Sequence, residues 1–371
     1  MGKKILFVAS TRAHICHFHL PYLRQLHQEG WAVDAACGGT AGEIPHTDRV
    51  LHLPFQKKML SPGNFRAAAI LKKHLLHEDY AAIIVHTSLA AFFTRLAVLG
   101  RKQRPRVINM VHGYLFDRHT PPVKRWILLS AEKLVAPVTD LLITMNRCDY
   151  EIARHHALGR EIATAPGVGV DFSALTGQEN EPQRLRQSLG IPPEDYVLIY
   201  PAEFSRRKQH HILLRAMTRL PSNTVLVLPG TGDGLKKCQQ LSRKLGIEDR
   251  VRFPGYMQQM LSFYKLSNAA VFPSRSEGLP FGVMEAMALG LPVVVSQTKG
   301  HEDLVIHGQT GLLYPFDDPA TCAARIRQLM DDAALAHTLA AAAQKSIDQY
   351  SLPRVMPRVM ELYRSQLSEN P

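Results

Sequence analysis

Short apolar runs alternate with longer amphipathic stretches along almost the whole chain, and this alternation restricts the fold more than any other feature. Lys4 to Ala9, Trp31 to Cys37, Val50 to Leu53, Ala82 to Val85, Arg106 to Val111 and Leu141 to Thr144 read as buried strands. Between them, His17 to Gly30, Asn64 to His77, Leu89 to Leu99, Val123 to Val135 and Cys148 to His156 read as helices. In the second of these, Ala67, Ile70, Leu71 and Leu75 share one face. Parallel strands need crossovers of this kind, so the pattern predicts a doubly wound α/β sheet. Asp171 to Pro182 then turns polar and loses periodicity, as a linker would. Alternation resumes through Tyr196–Tyr200, Thr224–Leu228, Val251–Phe253 and Ala269–Pro273, and closes on three helices that end with Pro353 to Leu367. A chain of 371 residues exceeds one ordinary core. The expected division is 1–171, a linker at 172–182, a second domain at 183–350 and a terminal helix at 351–371.

The segment from Ser274 to Ser296 carries the most chemistry. It reads as a polar loop, a helix beginning near Pro280 and ending at Gly290, and a buried strand. Its loop lies at the carboxyl end of a strand, where open α/β sheets bind ligands. Backbone N–H groups around Gly278, Leu279 and Phe281 form a helix start that can hold a phosphate. Glu285, in the helix, can accept hydrogen bonds from a pair of ribose hydroxyls, and Glu277, in the loop, can do the same for a sugar.

The run Ser-x-x-Glu-Gly-Leu-Pro-x-x-x-x-Glu-Ala-Met-Ala-x-Gly-x-Pro-Val-Val at 274–294 closely resembles the signature of the family 4 retaining glycosyltransferases. The resemblance covers nearly the whole chain. It implies the GT-B fold, two Rossmann-like doubly wound domains facing across a cleft, with the first binding acceptor, the second binding a nucleotide sugar, and the final helix returning to the first. It also implies front-face displacement, in which a leaving-group phosphate oxygen helps deprotonate the acceptor and no enzyme nucleophile is needed.

Further motifs acquire roles through the same likeness. His112-Gly113-Tyr114-Leu115-Phe116 resembles the His-Gly-Phe-x-Phe segment of bacterial surface-polysaccharide enzymes, in which the histidine reaches the donor sugar. An imidazole can donate to a hexose hydroxyl or to the leaving phosphate. Phe18-His19-Leu20-Pro21 fits a Phe-His-x-Pro segment of that subgroup, so His14 and His19, with His86 at the end of another strand, are candidate acceptor contacts. The family's Gly-Arg-Leu-x-x-x-Lys clamp for the diphosphate keeps Lys208 but has Glu203 where the arginine should stand, leaving Arg207 or Arg206 to supply the second charge. Gly230 and Gly232 would line the nucleotide pocket, with Tyr256 bordering the base. Gly300 to Leu304 matches a structural turn. Asp-x-Asp occurs nowhere, so no metal is expected at the diphosphate and no cofactor beyond the nucleotide-sugar co-substrate.

Charge points to the acceptor side. Of a net +12, residues 1–170 hold 22 Lys and Arg against 12 Asp and Glu, and the remainder hold 22 against 20. A one-sided basic excess suggests an anionic partner. Two stretches are candidates for an anionic inner-membrane surface: Lys57–His77, and 121–137 with Trp126. A lipid-diphosphate-linked glycan met there would be the acceptor, UDP the nucleotide, and capsule, exopolysaccharide or O-antigen the product. Five cysteines without zinc or redox spacing suggest a reducing compartment. Neither signal peptide nor membrane-spanning run is visible, so a cytoplasmic enzyme, peripheral on the membrane, is expected. Two alternatives remain open on residues alone. A nicotinamide-dependent oxidoreductase would need a glycine-rich loop after the first strand, which is missing. A nucleic-acid-binding protein would need interleaved basic and aromatic residues at a recognised motif, and no nucleic-acid partner is expected.

Overall fold

A computed structural model describes residues 3–40, 42–177 and 180–367. The chain divides into two compact units, one of Met1–Val168 with Pro353–Pro371, the other of Gly169–Leu352. Among the described residues the first unit holds seven strands: β1 Lys4–Ala9, β2 Ala32–Cys37, β3 Arg49–His52, β4 Ala82–His86, β5 Arg106–Val111, β6 Leu141–Thr144 and β7 Glu161–Thr164. All pair in parallel, in the order β3-β2-β1-β4-β5-β6-β7. The second unit holds β8 Tyr196–Ile199, β9 Thr224–Pro229, β10 Val251–Gly255, β11 Ala269–Phe272, β12 Val293–Ser296 and β13 Leu312–Tyr314, in the order β10-β9-β8-β11-β12-β13. Each order reverses direction beside its first strand, at β1/β4 and at β8/β11. In doubly wound sheets that reversal opens a crevice at the strands' carboxyl ends.

The apolar runs form strands because helices cover both faces. Leu6, Val8, Ile83 and Val85 pack with Ala67, Leu71, Phe93 and Val98 of the covering helices. Two edge strands escaped the sequence reading. β7 has exposed or half-buried residues throughout, and β13 is three residues long, so neither reads as a buried run. The expected helix from His17 is two helices, Arg12–Phe18 and Leu20–Gln28, because Thr11 caps the first by accepting from the His14 amide, and Pro21 starts the second.

The expected linker is helical in its first half. Asp171 caps Phe172–Thr176, and Leu175 is buried; residues 178 and 179 lie outside the described residues. The last helix, Leu352–Leu367, packs on the first unit: Tyr363 Oη donates to Met110 Sδ at 3.5 Å, and Arg364 pairs with Glu29. Helix Pro122–Val135 is held from within by Glu132, whose Oε2 is 2.9 Å from Nη2 of the fully buried Arg95. Its other face leaves Val123, Trp126 and Ile127 exposed, while Leu128 and Leu129 pack on the core.

Candidate active site

In the second unit the loops after β8, β11 and β12 meet at the switch point. The helix after β11 runs Phe281–Ala288 with Pro280 as its N-cap. It stops where Gly290 takes φ +69°, a left-handed conformation suited to glycine, and Leu291 N–H donates to the Ala286 carbonyl. Val283, Met284, Ala286 and Met287 are buried. Glu285 is the helix's acid, and it accepts from Tyr264 Oη at 2.8 Å. Burial raises the Glu285 pKa, with the Tyr264 hydrogen bond acting against the rise. Tyr264 was missed in the sequence because it stands on a different helix, Leu261–Lys265, with no motif around it.

Glu277 is 7% exposed and takes two cations at once. Lys208 Nζ donates to Oε1 at 2.7 Å, and Arg207 Nη1 donates to Oε2 at 2.5 Å and to the Ser276 carbonyl at 3.0 Å. Burial alone would raise this carboxyl's pKa, but Lys208 and Arg207 overcome it and hold the group at about 2. Of the basic residues in this turn, Arg207 joins Lys208 on the Glu277 carboxylate. Tyr200 Oη is 2.9 Å from the Lys208 carbonyl and 3.0 Å from Ser274 Oγ, which fixes the β8 loop against the β11 loop.

His301 is fully buried, and its Nδ1 donates to the Ser296 carbonyl at 2.9 Å. That bond puts the proton on Nδ1 and the lone pair on Nε2, which has no hydrogen-bond partner. Burial pushes the imidazole down to about 4 against the pull of Glu277. The turn around it is structural, as expected, since a Cβ on Gly300 would lie 2.6 Å from the Gly278 carbonyl. His301 is nevertheless a polar group within the electrostatic reach of Glu277. Gly230 and Gly232 are needed for a similar reason. At φ +148° and +144° their built Cβ atoms would lie 2.1 Å and 2.7 Å from the carbonyls of Ala202 and Phe204, so the two loops touch backbone to backbone. Tyr256 is 72% exposed after β10, while Arg252 is spent on the carbonyls of Leu189, Asp249 and Gly190.

In the first unit the ends of β1, β4 and β5 bring four histidines together. Thr87 holds φ +65°, a costly conformation for a β-branched residue, roughly 1–3 kcal/mol. Its Oγ1 accepts from the Ser10 amide at 3.1 Å and lies 2.5 Å from Ser10 Oγ, which joins the β1 loop to the β4 loop. His86 Nδ1 is 3.0 Å from His112 Nε2, and His19 Nε2 is 3.3 Å from His14 Nε2. His86 stacks on Phe7, and the His19 ring lies tilted against it with centroids 3.9 Å apart. Burial lowers all four pKa values, His14 to about 4, and mutual repulsion adds to the effect on His19, His86 and His112. Of the three expected acceptor contacts, His19 and His86 are fully buried, and only His14 retains exposed surface. The histidines lie 26 or more residues apart in the pairs His14/His112 and His86/His112, which is why their convergence is invisible in the sequence.

The chain is 31% identical over 371 residues to EpsD of Bacillus subtilis strain 168, a protein named as a glycosyltransferase, and covers 98% of this chain and 97% of that one. This chain is a family 4 glycosyltransferase. Family models agree by halves: a glycosyl transferase 4-like domain matches residues 10–165 of this glycosyltransferase, and glycosyl transferases group 1 matches residues 182–346. A D-inositol 3-phosphate glycosyltransferase of Corynebacterium urealyticum is 32% identical over 262 residues, 67% of this chain and 61% of its own. The crystal structure of Anabaena Alr3699/HepE in complex with UDP-glucose superposes with a TM-score of 0.78 at 22% identity, over 98% of this enzyme and 99% of that chain. The fold is therefore GT-B, and the oxidoreductase and nucleic-acid readings fall away.

Proposed function

We propose that the enzyme moves a hexose-type sugar from a UDP-sugar, with retention of configuration, to a lipid-diphosphate-linked glycan for a bacterial surface polysaccharide. The observation that carries the donor half is the Arg207–Glu277–Lys208 cluster beside the start of helix Phe281–Ala288. Two cations share one carboxylate, which leaves positive charge for a diphosphate without a metal. Glu285, preset by Tyr264, accepts the ribose hydroxyls, Tyr256 borders the base, and Glu277 and His112 orient the sugar. In the transfer the bond from the anomeric carbon to the diphosphate oxygen breaks. The acceptor oxygen bonds to that carbon on the same face, and the acceptor proton passes to the leaving phosphate oxygen. Arg207, Lys208 and the helix start stabilise the charge that develops there.

A membrane-bound acceptor is supported by the surface of the first unit. Val123 and Trp126 are 72% and 69% exposed beside Lys124, and Leu60 is 82% exposed beside Lys57 and Lys58. Between these stretches lies a small, mostly apolar surface depression whose lining includes Met59, Phe92, Tyr114, Leu115 and Leu128. The exposed apolar side chains can enter the headgroup region, with the basic residues near the lipid phosphates. No helix among the described residues is long and apolar enough to cross a membrane, and peripheral attachment on the inner face is the proposal.

The test is a panel of nucleotide sugars incubated with lipid-diphosphate acceptors, with release of nucleoside diphosphate and the anomeric configuration of the product as readouts. UDP release that depends on lipid-linked acceptor, with an axial donor giving an axial product, is the expected result. Release confined to another nucleotide, or an inverted anomer, would overturn the donor or the stereochemical assignment.

A further inference from the structure

We propose that the two fully buried histidines, His86 and His19, are positioning residues that lock His112 and His14 in the tautomer with the proton on Nδ1. Each of these two outer rings then presents an N–H to a ligand oxygen, and neither can act as a base. The four rings fall into two pairs. His86 Nδ1 lies 3.0 Å from His112 Nε2, and His19 Nε2 lies 3.3 Å from His14 Nε2. In each pair the inner ring is fully buried and the outer ring keeps exposed surface. The remaining nitrogens of the inner rings, His86 Nε2 and His19 Nδ1, are buried with no hydrogen-bond partner. The remaining nitrogen of each outer ring is Nδ1, which is therefore the atom left for a ligand.

Counting protons on neutral rings decides the direction of both bonds. Burial lowers all four pKa values, so at pH 7 each ring carries one N–H and one lone pair. If His112 donated to His86, the His86 proton would sit on Nε2, a buried N–H with no acceptor. If His14 donated to His19, the same defect would fall on His19 Nδ1. A buried N–H without an acceptor is rare and costly, and an unmatched lone pair is the lesser penalty. His86 Nδ1 therefore donates to His112 Nε2, and His19 Nε2 donates to His14 Nε2. Both outer rings accept on Nε2 and hold their proton on Nδ1. A free histidine side chain prefers its proton on Nε2, so the Nδ1–H form has to be imposed by a neighbour. Phe7, stacked on His86, and the His19 ring against it keep the inner rings from turning away. The bearing on catalysis rests on the proposed contact of His112 with the donor sugar. His112 then serves as a hydrogen-bond donor to a hydroxyl or phosphate oxygen, and the acceptor proton is left to the leaving phosphate.

The tautomers can be read on the ligand-free enzyme, without any assumption about its substrate. Protein labelled with ¹⁵N-histidine is measured by long-range proton–nitrogen correlation at pH 7, with signals assigned by their loss in His112→Ala and His14→Ala. Nδ1 of both rings should carry the proton, and Nε2 of both should resonate as a bare ring nitrogen. A proton on Nε2 of either ring in the wild type would overturn the proposal, even if every His86 variant failed to fold. His86→Leu removes the inner donor and should return the His112 proton to Nε2. His86→Asn, whose amide nitrogen can stand where Nδ1 stands, should keep it on Nδ1. Circular dichroism shows which variants are folded, and a His112 tautomer unmoved in folded His86→Leu would also overturn the positioning role. With the donor that the nucleotide-sugar panel identifies, His86→Leu should lower kcat roughly two- to tenfold, the size of one hydrogen bond, at unchanged UDP affinity. His86→Asn should recover most of that loss. The expected tautomers together with normal transfer by folded His112→Ala would support the tautomer assignment while refuting the contact of His112 with the donor sugar.

Discussion

Glu277→Gln should lower the stability of the ligand-free enzyme while strengthening its binding of UDP. Glu277 is held at about 2 against an ordinary value of 4.5. A shift of that size corresponds to about 3 kcal/mol of stability at neutral pH, since one pKa unit is about 1.4 kcal/mol. Arg207 is about half exposed and can recover water when its partner is lost, so about 2 kcal/mol is the better expectation. For a unit of this size that is a fall in thermal midpoint of roughly 4–8 °C. The folded-state pKa is depressed, so the contribution is complete above pH 4.5 and is lost as pH falls toward 2. The gap between wild type and variant should accordingly close across that window. UDP should respond in the opposite sense. Glu277 competes with a diphosphate for Arg207 and Lys208, and its neutralisation should tighten UDP binding about three- to tenfold, near 1 kcal/mol at an effective dielectric suited to a partly exposed site. Sugar transfer should still fall, because Glu277 is assigned to the hexose. Differential scanning fluorimetry from pH 2 to 8 and titration calorimetry with UDP make the comparison. An unchanged midpoint at pH 7 together with weaker UDP binding would refute the reasoning, because it would mean that Glu277 neither pairs with the cations in solution nor competes for them.

Glu285→Gln should weaken UDP binding by about 2 kcal/mol or more, the range for charge-assisted hydrogen bonds. It should slightly raise the ligand-free midpoint, because a carboxyl with a raised folded pKa disfavours the folded state once ionised; calorimetry and fluorimetry on the same sample check both signs. UDP affinity of the wild type should be unchanged by EDTA, and loss of UDP binding that magnesium or manganese restores would contradict the cation clamp. Anionic liposomes should co-sediment the enzyme in a salt-sensitive way, with recovery falling when Lys57, Lys58, Lys72 and Lys73 become Glu and also for Trp126→Glu. Equal recovery with neutral vesicles at low salt would remove the membrane surface.

Most of the sheet was legible because its strands are short apolar runs, and parallel strands buried on both faces keep that composition. β7 and β13 were not legible, since β7 is a partly exposed edge strand and β13, though mostly buried, is only three residues long. The proposed donor side could be read from one contiguous stretch, with Glu277 and Glu285 on a loop and its following helix. Arg207 was legible only as one of two possibilities, because a turn of three basic residues does not say which side chain reaches a loop 70 positions further on. His301 was legible only as part of a structural turn, and Tyr264 acts through a contact with another helix, so no local pattern marks Tyr264. The histidine cluster has the same character: each member was visible singly, and only the strand order β1-β4-β5 makes them neighbours.

The placement of helix Leu352–Leu367 imposes an order on the making of this protein. Val355, Val359, Met360 and Tyr363 are buried, and residues 353–367 belong to the unit that begins at the amino terminus. A growing chain emerges from the amino end, and domains ordinarily fold as they appear. Here the first unit waits with an apolar groove uncovered while the whole of Gly169–Leu352 is synthesised. The second unit, contiguous in sequence, can complete its fold before the first. The long-waiting half is also the one with the exposed apolar and basic surface, so early contact with a membrane or a chaperone would shield the nascent enzyme during the interval.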